Sequence, residues 1–269
     1  MKISTEIGSI EKIVGLERAV ELCGRAGFNA FDFSIFSRCL IDVKLARKLK
    51  NIGLDYGITC NQSHAPFPVR DPDIRSYLKC AIECTAEAGG EICIIHPDNY
   101  KSAKENAEMY SELLPFAKEC GVKIAAENMW CWDNDKNESC FAACATIEDF
   151  KKHIDIIGDD YLVACLDLGH AEMRGSGEGA VNMIKGLGHR IKALHIHDND
   201  RRHDSHQIPF SMDIDFDSIV KALKEIDYKG YFTLEADRFL SAYNETNVLE
   251  GVIKLKESAR RLADMFEAL

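Results

Sequence analysis

Long apolar runs are missing from this chain. No stretch approaches the roughly 18 uninterrupted apolar residues of a membrane-spanning helix, so no membrane partner is expected. The opening segment MKISTEIGSIEK carries none of the apolar core of a secretory signal, and the expected location is cytoplasmic. Proline is scarce, at 6 residues in 269, and no Pro/Gly/Ser-rich linker or shift in composition divides the chain. Residues 1–269 are therefore expected to form a single domain. Positive charge is in deficit: 33 Lys and Arg stand against 44 Asp and Glu, for a net charge of −11. That balance argues against nucleic acid as a partner. Cysteine is plentiful, at 11, but CxxC pairs are absent. An odd number scattered through apolar runs such as ICII and VACLDL reads as free thiols in a reducing compartment.

What is present is one unit repeated. Short apolar runs end in a polar residue, then a loop and a stretch of helical periodicity follow. The runs are KISTEI, NAFDFSI, LDYGITC, EICIIHP, VKIAAEN, YLVACLDLG, IKALHIHD and YFTLEAD. Between them, Ile13, Leu16, Val20 and Cys23 fall at spacings of a helix face, as do Ala107, Tyr110, Leu114 and Ala117, and Phe216, Ile219, Leu223 and Ile226. A last amphipathic stretch runs from Val248 to Phe266. Such alternation predicts an α/β chain with a parallel sheet, and its length fits a single (β/α)8 TIM barrel better than an open sheet. Loops lengthen after the fifth, sixth and seventh runs (128–145, 168–180 and 198–215), the side on which a barrel builds its site.

The strand ends carry an unusual set of side chains. In order they are His64, His96, Glu127, Asp167 with His170, His195 and His197 with Asp204 and His206 in the following loop, and Glu235. Taken singly, a strand-end His or Glu is more often a packing or loop-bonding residue. Recurring at successive strands, they gain weight together. Glu127, Asp167 and Glu235 would share one barrel mouth with no Lys or Arg at a matching strand end. Crowded carboxylates in low dielectric repel, and a divalent cation removes the conflict. Mixed oxygen and nitrogen donors suit Mn²⁺, Mg²⁺, Co²⁺ or Zn²⁺. His195 and His197 are two apart, so both should face inward. His197, nearer the mouth, is expected to be the ligand and His195 to pack or to support a ligand.

The segments GFNAFDFS, SHAPF, IIHPDN, AAEN, LDLGHA, HIHDND, DSH and YKGYFTLEAD, in this order along nearly the whole chain, resemble the xylose-isomerase-like barrels. These form the sugar phosphate isomerase/epimerase superfamily, related to the type IV apurinic endonucleases. The resemblance implies one divalent metal held by Glu127, Asp167, His197 and Glu235, with His170 at a substrate position. In the endonuclease branch three zinc ions take a larger set, matched here by His64, His96, Glu127, Asp167, His170, His197, Asp204, His206 and Glu235. The chain departs from the family where a Pro-Gly-x-Gly turn follows DSH: it has Pro209, Phe210, Ser211 and Met212. Arg201 and Arg202 stand near, but not in register with, an arginine of the 3-epimerases, and Asp133 is a shorter counterpart of an acidic residue past the fifth strand.

The function implied is a divalent-metal-dependent isomerase or epimerase of a sugar or sugar phosphate. Glu127 and Glu235 are the expected catalytic pair, removing and returning a proton next to a carbonyl through a metal-stabilised enediolate. His64, His96, His170, Trp130, Asp204 and His206 are the expected substrate contacts. Trp132 shares the Trp130 loop, as do Cys131, Cys140 and Cys144, whose spacing matches no strong zinc pattern. The Gly-rich RGSGEG (174–179) reads as a mobile lid. The alternatives are a dehydratase of an inosose or dehydroshikimate-like acid on the same metal, and a trinuclear-zinc phosphodiesterase. The phosphodiesterase would need basic loops at the mouth, whereas the loops 5–10 and 34–38 carry little positive charge. Association into a homo-oligomer is left open.

Overall fold

The computed structural model describes residues 1–35 and 42–269; residues 36–38 of the second early loop lie outside them. Among the described residues, eight parallel strands alternate with helices. The strands and helices run β1 (Ile3–Thr5), α1 (Gly8–Val14), α2 (Leu16–Ala26), β2 (Ala30–Ser34), α3 (Val43–Asp55), β3 (Thr59–His64), α4 (Ile74–Ala88), β4 (Ile92–Ile94), α5 (Ala103–Glu119) and β5 (Lys123–Glu127). They continue as β6 (Trp130–Asp133), β7 (Glu138–Phe141), α6 (Ile147–Asp155), β8 (Leu162–Asp167), α7 (Leu168–Glu172), α8 (Ala180–Leu187), β9 (Ile191–His195), α9 (Phe216–Glu225), β10 (Phe232–Leu234) and α10 (Val248–Glu267). A six-stranded sheet in the order β2-β3-β4-β5-β8-β9 and the pair β1-β10 make up the wall. Bridges between Glu6 and Asp32 and between Ile196 and Leu234 join the two, so the barrel closes on itself.

The helices bury the faces that their periodicity predicts. Leu16, Ala19, Val20 and Cys23 of α2 and Ile219, Val220 and Leu223 of α9 lie against the sheet, each large apolar side chain contributing about 1.5–3 kcal/mol. Ile13 belongs to a separate helix, α1, because Gly15 breaks the path at φ +79°. Local signals set the helix starts. Ser102 and Glu105 form a reciprocal capping box at α5, and Thr146 and Asp215 cap α6 and α9.

The third strand is not LDYGITC. Leu54 and Asp55 end α3, and β3 runs through the polar TCNQSH. Its buried polar groups are satisfied inside the barrel: Ser4 Oγ donates to Asn61 Oδ1 at 2.6 Å, and Asn61 Nδ2 donates to Thr233 Oγ1 at 3.1 Å. A strand can be polar on a face where neighbouring strands supply its hydrogen bonds. The long loop after β5 also differs from a plain loop, since β6 and β7 form an antiparallel hairpin over the mouth.

The RGSGEG segment is pinned under that hairpin. Ser139 Oγ donates to the Arg174 carbonyl, Ser176 is 1% exposed, and a Cβ on Gly175 would stand 2.2 Å from the Ser139 carbonyl oxygen. The segment is thus packed against the hairpin instead of standing as a free lid. At the altered turn, Phe210 takes φ +72°, left-handed backbone where the family turn carries glycine. Its ring is held by Phe216 at 5.2 Å and by the Arg261 guanidinium at 3.7 Å.

Candidate metal centre

The barrel lumen is layered. Ile94, Ala125, Val163, Cys165 and Ala193 form a small apolar cluster inside it. Two residues further along three of these strands, on the same inward face, stand Glu127, Asp167 and His195. The register places Asp167 directly opposite His195 and Glu127 opposite Cys165. Glu235 enters the same layer just beyond β10, where its N–H donates to the Ile196 carbonyl.

This layering puts the two histidines of the seventh strand at different levels. His195, not His197, stands among the three carboxylates: ligand atoms of Glu127, Asp167, His195 and Glu235 all lie within 4.8 Å of one another. His195 Nδ1 is 2.9 Å from Glu127 Oε1 and 3.3 Å from Glu235 Oε2. Both histidines face inward, as alternation predicts, but His197 is one period past the carboxylate layer. It joins a second group with His170, Asp204 and His206. His197 still reaches the first group, its Nε2 lying 3.2 Å from Asp167 Oδ1. Gly169 makes this approach possible, because a Cβ there would sit 2.0 Å from His197 Cε1. His64 and His96 form a third group with Glu127; their Nε2 atoms are 2.8 Å apart, and His96 Nε2 is 3.1 Å from Glu127 Oε2. The three groups therefore adjoin, with Glu127 common to two of them.

The donor set fits a cation. His64, His170 and His206 each hold Nδ1 against a backbone carbonyl, of Ala65, Asn128 and Glu235 respectively, at 2.8–2.9 Å. An imidazole that donates from Nδ1 presents an Nε2 lone pair on its other side, here towards the centre. Asp167 Oδ2, His197 Nε2 and Asp204 Oδ1 are buried without a hydrogen-bond partner. Buried polar atoms of this kind are costly unless something else satisfies them.

Electrostatics point the same way. Burial pulls the Glu127 carboxyl upward, but His195, His64 and His96 together outweigh it and hold the group well below the usual carboxylate range. Burial, reinforced by the Glu127 charge, pushes Glu235 up to about 7. Burial lowers the histidines, yet Asp167 and Asp204 keep His170 well above its ordinary value, and Asp204 lifts His206 to about 10. His96 goes the other way, to about 4, through burial and the neighbouring His64.

A cavity of about 410 Å³ opens above these groups, with His64, His96, Glu127, His170, Asp204, His206, Glu235 and Trp130 on its wall. Trp130 meets the His170 ring edge-on at 6.5 Å, whereas Trp132 stacks on His203 instead. Lys12 and Asp237 also line it, and neither was singled out in the sequence. Asp198 escaped notice too. Its carboxylate accepts from the N–H groups of Asn199, Ser211, Met212 and Ile214 at 2.8–3.1 Å and so shapes the loop that carries Asp204 and His206. A short polar side chain followed by a long loop was the only signal for it. Arg201 pairs with Glu172, Arg202 donates to the Asn137 carbonyl, and Asp133 accepts from two N–H groups of the hairpin turn. Cys131 and Cys140 face each other across the hairpin, and Cys144 is buried in the core.

The family description of a xylose isomerase-like TIM barrel matches residues 20–265. The chain belongs to this family. It is 26% identical over 210 residues to the uncharacterized protein MJ1311 of Methanocaldococcus jannaschii, covering 71% of this chain and 69% of that one. It is also 26% identical over 176 residues to the inosose dehydratase of Clostridium perfringens, with 59% of this chain and 54% of that enzyme covered. Among solved structures, a D-tagatose 3-epimerase-like protein superposes with a TM-score of 0.79 at 21% identity over 100% of this chain and 99% of its own. The IolI protein with a bound zinc atom gives 0.75 at 20% identity over 100% and 99%. At these identities the likeness is one of fold. Among the described residues no helix is long and apolar enough to cross a membrane.

Proposed function

We propose that this chain is a divalent-metal-dependent isomerase or epimerase acting on a small sugar. The observation that carries the reading is the layer of Glu127, Asp167, His195 and Glu235, buried together at the carboxyl ends of the strands with ligand atoms mutually within 4.8 Å. The 3-epimerase-like architecture supports it. A cation held by these four residues would supply Lewis-acid polarisation of a carbonyl oxygen. The protein's own groups do the rest. Glu127, held ionised by its histidines, and Glu235, with its raised proton affinity, are the pair that takes a proton from the carbon beside the carbonyl and returns it. His64, His96, His170 and His206, with Asp204, meet the substrate hydroxyls, and Trp130 walls the cavity and limits water.

The test is a metal-to-chain ratio on purified protein, followed by a panel of ketoses incubated in heavy water and watched by proton NMR. Deuterium is expected at a carbon next to the carbonyl, and Glu235→Gln should slow its incorporation by about 10²-fold or more with metal retained. Full exchange in Glu235→Gln would remove the residue from its role.

Two other readings each have an observation behind them. The likeness to inosose dehydratase favours loss of water from a cyclic ketose on the same residues; release of an unsaturated product from an inosose would identify it. The three adjoining groups favour a three-zinc phosphodiesterase; three zinc ions per chain together with cleavage of an abasic-site duplex would establish it.

A further inference from the structure

The mouth has a neighbour. A second cavity of about 360 Å³ lies beside it, and Phe67, His96 and Met129 line both. Phe67 stands at the join: its ring packs on His64 at 5.4 Å and on His96 at 4.9 Å, and the residue is still 48% exposed. Across the second cavity is Tyr100, 76% exposed, with the Arg70 guanidinium stacked on its ring at 3.8 Å. Tyr100 thus presents an exposed ring in a cleft next to the mouth, with Phe67 at its edge. An aromatic face fixed on one side by a guanidinium and open on the other is a platform for the C–H face of a sugar ring.

The polar groups of this cavity narrow the occupant. Arg70 Nε donates to Asp98 Oδ1 at 2.8 Å, so its charge is already matched and an anion gains little there. Its guanidinium remains half exposed, and Asn99 Oδ1 is buried without a hydrogen-bond partner. Donors beside an acceptor suit hydroxyl groups, whereas an apolar ring would leave them unpaired.

We propose that the mouth accepts a two-ring substrate, a glycoside or disaccharide. Its reacting ring lies over the carboxylate–imidazole groups, and its second, uncharged ring lies in the Phe67–Tyr100 cavity. This rests on the reading of the mouth as a sugar site.

The test is equilibrium titration of the metal-loaded full chain by saturation-transfer NMR. The probes are cellobiose, lactose and maltose, each with a free reducing end, set against glucose, galactose and glucose 6-phosphate. The proteins are the wild type, Tyr100→Ala and Asn99→Leu. At least one disaccharide should bind about tenfold more tightly than either component sugar, the scale of one added aromatic contact with its hydrogen bonds. Both variants should lose that gain and keep the affinity for the single sugars. Single sugars that bind with no gain from the second ring would overturn the proposal alone, as would a gain that survives both variants. A gain for glucose 6-phosphate that is lost in Tyr100→Ala would overturn the uncharged ring. No binding by any sugar would overturn the sugar reading along with it.

Discussion

His195 Nδ1 lies 2.9 Å from Glu127 Oε1, although 68 residues separate the two in the chain. The other nitrogen of the same ring faces Asp32 Oδ2 at 3.4 Å, and that carboxylate also accepts from Gln62 Nε2 at 2.8 Å. A β-bulge between Phe31 and Asp32 brings Asp32 to this position. The imidazole is thus clamped between a group behind it and the carboxylate layer in front, the arrangement that fixes the tautomer and aim of a ligating histidine.

From this follows a comparison of the two histidines of the seventh strand. His195→Gln should weaken the tightest metal by well over tenfold. Asp32→Asn should weaken it by about 10–100-fold, as loss of an orienting partner does. His197→Gln should leave this metal in place. Chelator competition with elemental analysis reads all three, and equal losses from His195→Gln and His197→Gln would contradict the layering.

Metal uptake should be steeply pH-dependent. In the metal-free protein His195, the imidazole of the carboxylate layer, has strongly raised proton affinity. Ligation needs neutral imidazoles, so binding at pH 7 expels protons and apparent affinity rises with pH. Calorimetry in two buffers of different ionisation enthalpy should return at least one proton released per metal bound.

The metal-free protein carries its own pH signature. His206 has a raised folded value, so its contribution is complete below its unfolded value near 6.5 and is lost as pH rises towards about 10. Its partner Asp204 is depressed, with a contribution present above about 4 and lost as pH falls below it. Thermal unfolding of chelated protein should peak between these limits, and Asp204→Asn should flatten the peak.

Gly169→Ala forces a methyl group into the His197 ring. Neither α7 nor the histidine can yield without disturbing the Asp167 cap, whose Oδ1 accepts from the His170 N–H at 2.6 Å. A loss of about 1–3 kcal/mol in urea unfolding is expected, with His170 and His197 displaced together.

Asp198→Ala removes the acceptor of four backbone N–H groups. Hydrogen exchange should accelerate through 199–214 while the strands stay protected. Substrate affinity, which Asp204 and His206 support, should fall before the metal of the carboxylate layer is lost.

Most of the fold could be read in advance because its signals are local. Alternating runs such as VKIAAEN and YLVACLDLG carry their strands on their own residues, and α9 and α10 show their buried faces as spacing. The polar strand TCNQSH could not be read this way. Asn61 and Gln62 find their partners on β1, β2 and β10, distant in sequence. The hairpin of β6 and β7 was hidden for a related reason, since a pair of short strands that packs over a mouth lacks a strong apolar alternation.

The sequence by itself determined that carboxylates and imidazoles gather at one end of a barrel, because strand-end position follows from the order of runs. It also determined that His195 and His197 share a face, because side chains alternate along a strand with period two. Only the tertiary structure decided which of the two stands level with Glu127, Asp167 and Glu235. That level is set by the register between neighbouring strands, including the shift between Ala164 and Cys165, and register belongs to pairs of strands and not to either one alone.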